Sequence, residues 1–225
     1  LNFIMRRSLR IFPLYFASLA LLLSLSHYIP GFAGIFQQAE DNQFYLWTYL
    51  TNVKMTIDAS WCFGYLDHFW SLAVAELFSL FWPLIVLAVV PRRLLPLTIL
   101  LATTCAVARI AFALLGENRV ATDVLSVFRF DALLLGGAIA LLVRLNADRF
   151  CAYRKPVLLC FAISSIVALG LATTGRSMFT ITHTAWAVVW TTMLSLVVTS
   201  SPKAAVAKFF RVGWLRTAGK YSYAI

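Results

Sequence analysis

The chain has 225 residues, of which 61% are hydrophobic and 12% are charged, and its mean hydropathy is +0.84. Soluble globular domains carry about 25% charged residues, so this composition excludes a soluble protein and predicts a multi-span membrane protein. The formal net charge of +10 does not indicate a nucleic-acid partner, because the bases cluster in short segments between apolar runs, where they set membrane topology.

Six apolar runs are long enough to cross a bilayer as helices. The first, Ile11–Ile29, would be roughly 28 Å long at about 1.5 Å per residue, with Pro13 in its first turn. The other five are Phe69–Val90, Leu97–Leu115, Val124–Val143, Pro156–Ala172 and His183–Ser200, and a seventh would start at Tyr221. The predicted fold is an all-α polytopic membrane helix bundle, with one membrane domain over residues 1–225 and no soluble domain.

The segments between these runs alternate between many and few basic residues. The segments rich in Lys and Arg are Arg6–Arg10, Pro91–Pro96, Arg144–Lys155 and Ser201–Lys220. The segments with few bases are Gly31–Asp67, Gly116–Asp123 and Thr173–Thr182. By the positive-inside rule, both ends of the sequence are predicted to face the cytoplasm. Within the first outer segment, Phe44–Met55 carries apolar residues at helical spacing, which predicts an amphipathic helix on the membrane or over the bundle.

Four ionisable residues lie inside the predicted spans, namely Glu76, Arg109, Arg129 and Asp131. An ionised side chain at membrane depth costs roughly 2.5–3.5 kcal/mol on insertion scales, so it marks a functional site or a buried pair. The predicted topology puts all four in one layer in the outer half of the bundle. Glu76 is the candidate general base, and the alternative is a structural ion pair with Arg109 or Arg129.

The outer end of the second span carries a group of polar and aromatic residues close to Glu76 in the sequence. His68 is the second candidate catalytic residue, and the alternative is that it anchors the span at the membrane interface. The candidate substrate-binding residues in the outer half are Trp70, Ser71, Arg129 and Asp131. The four cysteines show no CxxC spacing, so neither a disulfide framework nor a metal site is predicted.

Arg7 and Arg10 lie one helical turn apart just before the first apolar run. One interpretation is that they set topology and bind lipid headgroups of the membrane. The other is that they bind phosphate, since guanidinium groups donate bidentate hydrogen bonds to phosphate oxygens. A phosphate-rich cytoplasmic substrate such as an acyl-coenzyme A fits the second interpretation.

Four blocks resemble the membrane acyltransferase-3 family and occur in that family's order. Arg6–Phe16 is similar to its Arg-x-x-Arg-Ile-x-Pro-Leu-Tyr motif, and His68–Pro83 to its His-Leu-Trp-Ser-Leu-Ser-Val-Glu-Glu-Gln-Phe-Tyr-Leu-Leu-Trp-Pro block. Arg129–Ala138 resembles its Arg-x-Asp-Ala-Leu-x-x-Gly motif, and Ala218–Ile225 the start of its Leu-Gly-x-x-Ser-Tyr segment. The resemblance implies a bacterial inner-membrane O-acyltransferase that takes an acyl group, often acetyl, from cytoplasmic acyl-CoA to an envelope carbohydrate, without a bound cofactor.

The chain departs from the family pattern at the positions that matter for chemistry. The family's catalytic histidine lies on a span upstream of the first motif, so the sequence is expected to be truncated at that end and at the other. Ala75 occupies the family's more invariant glutamate position, and Glu76 follows it. Two other readings therefore stay open. One is a carrier or flippase of an envelope lipid or saccharide, and the other is a non-catalytic acyltransferase paralogue.

Overall fold

A computed structural model describes residues 2–116, 118–152, 154–173, 179–201 and 204–221. Over these residues the chain forms helices and connecting turns, without a strand. Six helical segments within them are long and apolar enough to cross a membrane, at Ile4–Tyr28, Gly64–Ala88, Pro91–Leu115, Arg119–Leu145, Arg154–Thr173 and Ile181–Thr199. The predicted all-α multi-span bundle is confirmed, and the chain is a multi-pass membrane protein.

The chain divides into two compact units, and the first contains the residues up to Ala88 together with Gly116–Phe128. Its helices are α1 (Asn2–Tyr28), α2 (Pro30–Asp41), α3 (Gln43–Trp47), α4 (Thr51–Asp58), α5 (Phe69–Ala88) and α7 (Arg119–Val124), with a 3₁₀ turn at Gly64–Leu66. Helix α2 packs along α1, and α4 packs on both α5 and α7. The buried core includes Tyr15, Leu19, Leu46, Met55, Phe63, Ala73 and Val124.

Helix α1 begins nine residues before the predicted start of the first span. The arginines Arg6, Arg7 and Arg10 therefore lie within the helix, and Pro13 lies near its middle instead of in its first turn. That part of the prediction is wrong because arginine and leucine are good helix formers and no glycine or proline precedes Pro13. Pro13 has no N–H to donate to the carbonyl of Leu9, so one helical hydrogen bond is missing there.

The first loop contains three helices where the sequence predicts one. Helix α2 starts at Pro30, in a position where proline needs no backbone N–H. The predicted amphipathic helix Phe44–Met55 is divided into α3 and α4, which are separated at Tyr49 by a backbone with φ of 56°. The prediction of one continuous helix is wrong here, since a residue in the left-handed region interrupts the helical hydrogen bonds.

The second unit contains Val89–Leu115 and Arg129–Tyr223. Its helices are α6 (Pro91–Leu115), α8 (Ser126–Ala152, from Arg129 onward), α9 (Arg154–Thr173), α10 (Phe179–Thr199), α11 (Ala205–Phe210) and α12 (Gly213–Tyr221). Helices α9 and α10 pack together through Ala168, Ala185 and Val189, and α10 also contacts α6.

Three predicted connections in this unit are wholly or largely helical. The basic turn Pro91–Pro96 is the start of α6, because a proline at the first helical position is tolerated. Most of the loop Arg144–Lys155 belongs to α8 and α9, since no glycine or proline interrupts it. The basic segment Ser201–Lys220 also forms two short helices, α11 and α12. The predicted seventh span lies outside the described residues beyond Tyr221.

Candidate functional site

Helices α1 and α5 bring the first two sequence blocks together. The Arg7 Nε donates a hydrogen bond to the Glu76 Oε1 at 3.2 Å, and the rings of Tyr15 and Phe69 lie 5.0 Å apart between centroids. Because the contacts advance along α1 while they recede along α5, the two helices are antiparallel. Glu76 therefore lies level with the beginning of α1.

This contact changes the position assigned to Glu76 from the sequence. Glu76 was placed in the outer half of the bundle and Arg7 beyond the opposite end of the first span, yet the two side chains touch. The expected depth of Glu76 is wrong because the start of α5 lies level with Tyr15 of α1, where Phe69 contacts Tyr15, so that Glu76 reaches the level of Arg7. Within the first unit, the structural partner of Glu76 is thus Arg7.

The Arg7–Glu76 pair uses only part of the hydrogen-bonding capacity of each group. Glu76 is 5% exposed, whereas the Arg7 side chain is 27% exposed. Among the described residues, the two terminal amino groups of Arg7 and the Oε2 of Glu76 form no hydrogen bond. Arg10 is exposed one turn further along the same helix. The pair can therefore accept a further polar group, and Arg10 can contribute a second positive charge beside it.

The same unit holds a cluster of aromatic rings along α1 that begins at Phe12, two residues after Arg10. Tyr15 and Tyr49 stack with ring centroids 4.2 Å apart, and Phe12 and Phe16 contact the Tyr49 ring. The Tyr15 hydroxyl donates to the carbonyl of Leu46 at 2.6 Å. The Tyr49 hydroxyl is buried and has no hydrogen-bond partner in the part of the chain that the structure describes.

Tyr49 was not predicted as a site residue. Burial raises the pKa of its phenol, and the neighbouring Tyr15 and Glu76 add to that effect. No sequence signal marks the position, because Tyr49 adopts a positive φ without being glycine or asparagine. Only the three-dimensional packing of α1 against the break between α3 and α4 brings Tyr49 onto the face of α1 that carries Phe12 and Tyr15.

The remaining predicted residues of the second block lie at the beginning of α5. His68 is exposed and packs edge-on against Phe69 with ring centroids 4.8 Å apart. Ser71 is exposed and donates to the His68 carbonyl at 2.9 Å, while Trp70 is half-buried against the core. His68 and Glu76 are eight residues apart, about 12 Å along the helix axis, so the structure does not bring the two candidate catalytic side chains together.

The second unit holds a separate buried ion pair. Arg109 donates from its two amino groups to the two carboxylate oxygens of Asp131 at 3.2 and 2.7 Å, and it also donates to the hydroxyl of Thr184. The Arg109 and Asp131 side chains are only 1% and 3% exposed. The Asp131 Oδ1 accepts a third bond from the N–H of Ala132 at 2.8 Å, so both carboxylate oxygens are engaged.

Arg109 and Asp131 thus form a buried ion pair within the second unit. The substrate-binding roles of Asp131 and of the half-buried Arg129 stay predictions. Within the described ranges, no group of three or more His, Cys, Asp or Glu side chains is placed to hold a metal ion. Cys62, Cys105 and Cys160 are free thiols.

Comparison with known proteins adds no relative from which a role can be transferred. No family model matches the chain, and no curated protein and no solved structure matches it.

Proposed function

We propose that the protein transfers an acyl group from acyl-CoA to a hydroxyl of a cell-envelope carbohydrate in the bacterial inner membrane. The observation that carries the proposal is the Arg7–Glu76 hydrogen bond at 3.2 Å. It joins the two longest blocks of the acyltransferase-3 resemblance, which are 69 residues apart in the sequence. Two segments that resemble one family and meet at a charged contact support a common site.

The donor would bind at the beginning of α1, on the cytoplasmic side in the proposed orientation. The amino groups of Arg7 that Glu76 leaves unengaged, and the exposed guanidinium of Arg10, would hold the phosphates of the coenzyme. Because the two arginines are three residues apart on one helix, they point to the same side and can bind one ligand. Membrane lipid would be a further partner of the protein.

In the proposed reaction, the acceptor hydroxyl oxygen attacks the thioester carbon, the carbon–sulfur bond breaks and the coenzyme leaves as a thiolate. Glu76 accepts the hydroxyl proton through its second carboxylate oxygen, and nearby donors stabilise the charge that develops on the carbonyl oxygen. His68 and Ser71, which are exposed at the beginning of α5, would contact the carbohydrate together with Trp70.

Titration calorimetry with coenzyme A tests the donor half of the proposal on the full chain in detergent. The double substitution Arg7→Ala and Arg10→Ala is expected to weaken binding at least tenfold, because two charge-assisted contacts to phosphate are lost. Arg92→Ala with Arg93→Ala is the matched control, since it removes two exposed arginines at the start of α6. Equal affinity of the two double variants would refute phosphate binding at α1.

A further inference from the structure

Tyr49 adopts a backbone conformation that is unfavourable for a large side chain. Its φ is 56°, and bulky residues in this left-handed region are outliers that concentrate at ligand-binding sites. The neighbouring backbone is tied down, because the Leu50 N–H donates to the Tyr45 carbonyl at 2.8 Å. Stacking on Tyr15 at 4.2 Å explains why the ring is held there, but it does not require a hydroxyl.

The hydroxyl groups of the two stacked tyrosines differ in their hydrogen bonding. Tyr15 donates to the Leu46 carbonyl at 2.6 Å, whereas the Tyr49 hydroxyl is buried without a partner among the described residues. Buried polar groups are almost always hydrogen-bonded, and phenylalanine would stack equally well without leaving a hydroxyl unpaired. The Tyr49 hydroxyl therefore fits a role toward a group that binds to the protein.

The surroundings of Tyr49 restrict the chemistry of that group. The Glu76 carboxylate is close enough to raise the pKa of Tyr49, after burial and Tyr15, but it accepts no hydrogen bond from the hydroxyl. Arg7 already neutralises the Glu76 carboxylate, so no net positive charge is left beside the Tyr49 hydroxyl to hold a carboxylate or a phosphate. Phe12 and Phe16 contact the Tyr49 ring and favour an apolar neighbour. An uncharged carbonyl oxygen next to an apolar group meets these conditions.

We propose that the Tyr49 hydroxyl donates a hydrogen bond to the carbonyl oxygen of the acyl thioester, so that the site recognises acyl-CoA in preference to free coenzyme A. This inference rests on the proposed function and assigns a residue to the acyl group. The phosphates, which both ligands share, are bound at Arg7 and Arg10, and only the acylated ligand offers an oxygen to Tyr49.

The test compares acetyl-CoA with free coenzyme A by titration calorimetry on the full chain in detergent. Tyr49→Phe is expected to weaken acetyl-CoA binding about fivefold to tenfold, the usual effect of losing one hydrogen bond, and to leave coenzyme A affinity unchanged. Its melting temperature should rise, because the unpaired hydroxyl is removed, and this rise verifies that the variant folds. Tyr15→Phe is the control, since it should lower the melting temperature and keep the ratio of the two affinities.

The outcomes separate the inference from the function on which it rests. An unchanged acetyl-CoA affinity, or an equal loss for both ligands in Tyr49→Phe, overturns the inference while the wild-type protein still binds coenzyme A. Failure of the wild-type protein to bind either ligand overturns the proposed function and, with it, the assignment of Tyr49 to an acyl group. A loss of affinity for acetyl-CoA alone supports both the role of Tyr49 and the proposed function.

Discussion

Replacing Asp131 by asparagine should destabilise the second unit strongly. The side chain is 3% exposed, and both of its oxygens accept hydrogen bonds from Arg109, which is itself 1% exposed. Asparagine keeps the shape but loses the charge, and its amino group faces the guanidinium donors. Leaving a buried charge without its counter-ion costs about 3–5 kcal/mol, a large share of the roughly 5–15 kcal/mol that stabilises a typical domain.

The measurement is the free energy of unfolding in mixed detergent micelles, followed by tryptophan fluorescence. Asp58→Asn is the matched control, because Asp58 pairs with Lys54 at 2.9 Å in a partly exposed contact four residues along a helix. Such exposed pairs contribute little to stability, because water and salt screen the two charges. Adding Arg109→Met to Asp131→Asn should recover part of the loss. If Asp131→Asn cost no more than Asp58→Asn, the pair would not stabilise the fold and the reasoning would be refuted.

Three further predictions concern the first unit. Glu76→Gln is expected to cost about 1–2 kcal/mol, less than Asp131→Asn, because solvent reaches Arg7 and screens its charge. The same variant should lose carbohydrate acylation in cells, and wild-type acylation, measured by mass spectrometry, would exclude Glu76 as the base. Ala75→Glu, which restores the family's carboxylate position, should increase acylation in that assay, whereas an unchanged level would show that Ala75 does not limit activity. Burial raises the pKa of the Cys62 thiol to about 11. Alkylation at this residue should therefore accelerate about tenfold per pH unit from pH 7 to 10, and a plateau below pH 9 would contradict this.

Within the residues that the structure describes, the sequence predicted six membrane-crossing helices in the right order, because the length of an apolar run is sufficient for that purpose. It misplaced the ends of α1 and α8, since arginines were taken as helix boundaries although they are compatible with a continuing helix. Arg7 is an example: it was predicted to precede the first span, whereas it lies within α1 and contacts Glu76.

The candidate site was predicted only in part. Glu76 stood out because an acid in an apolar run needs an explanation, but hydropathy does not fix the register between two helices, so its partner was missed. Tyr49 gave no signal, because its positive φ and its unpaired hydroxyl arise from tertiary packing. Its identification required the positions of Tyr15 and Glu76.

The Arg109–Asp131 contact also has a consequence for biogenesis. During synthesis α6 emerges with an arginine whose counter-ion is 22 residues further along the chain, and an unpaired arginine in the bilayer costs roughly 2.5–3.5 kcal/mol on insertion scales. Helix α6 therefore becomes fully stable in the membrane only after α8 has followed it. The two helices are expected to leave the insertion machinery as a pair, so loss of Asp131 should impair membrane insertion as well as the stability of the finished protein.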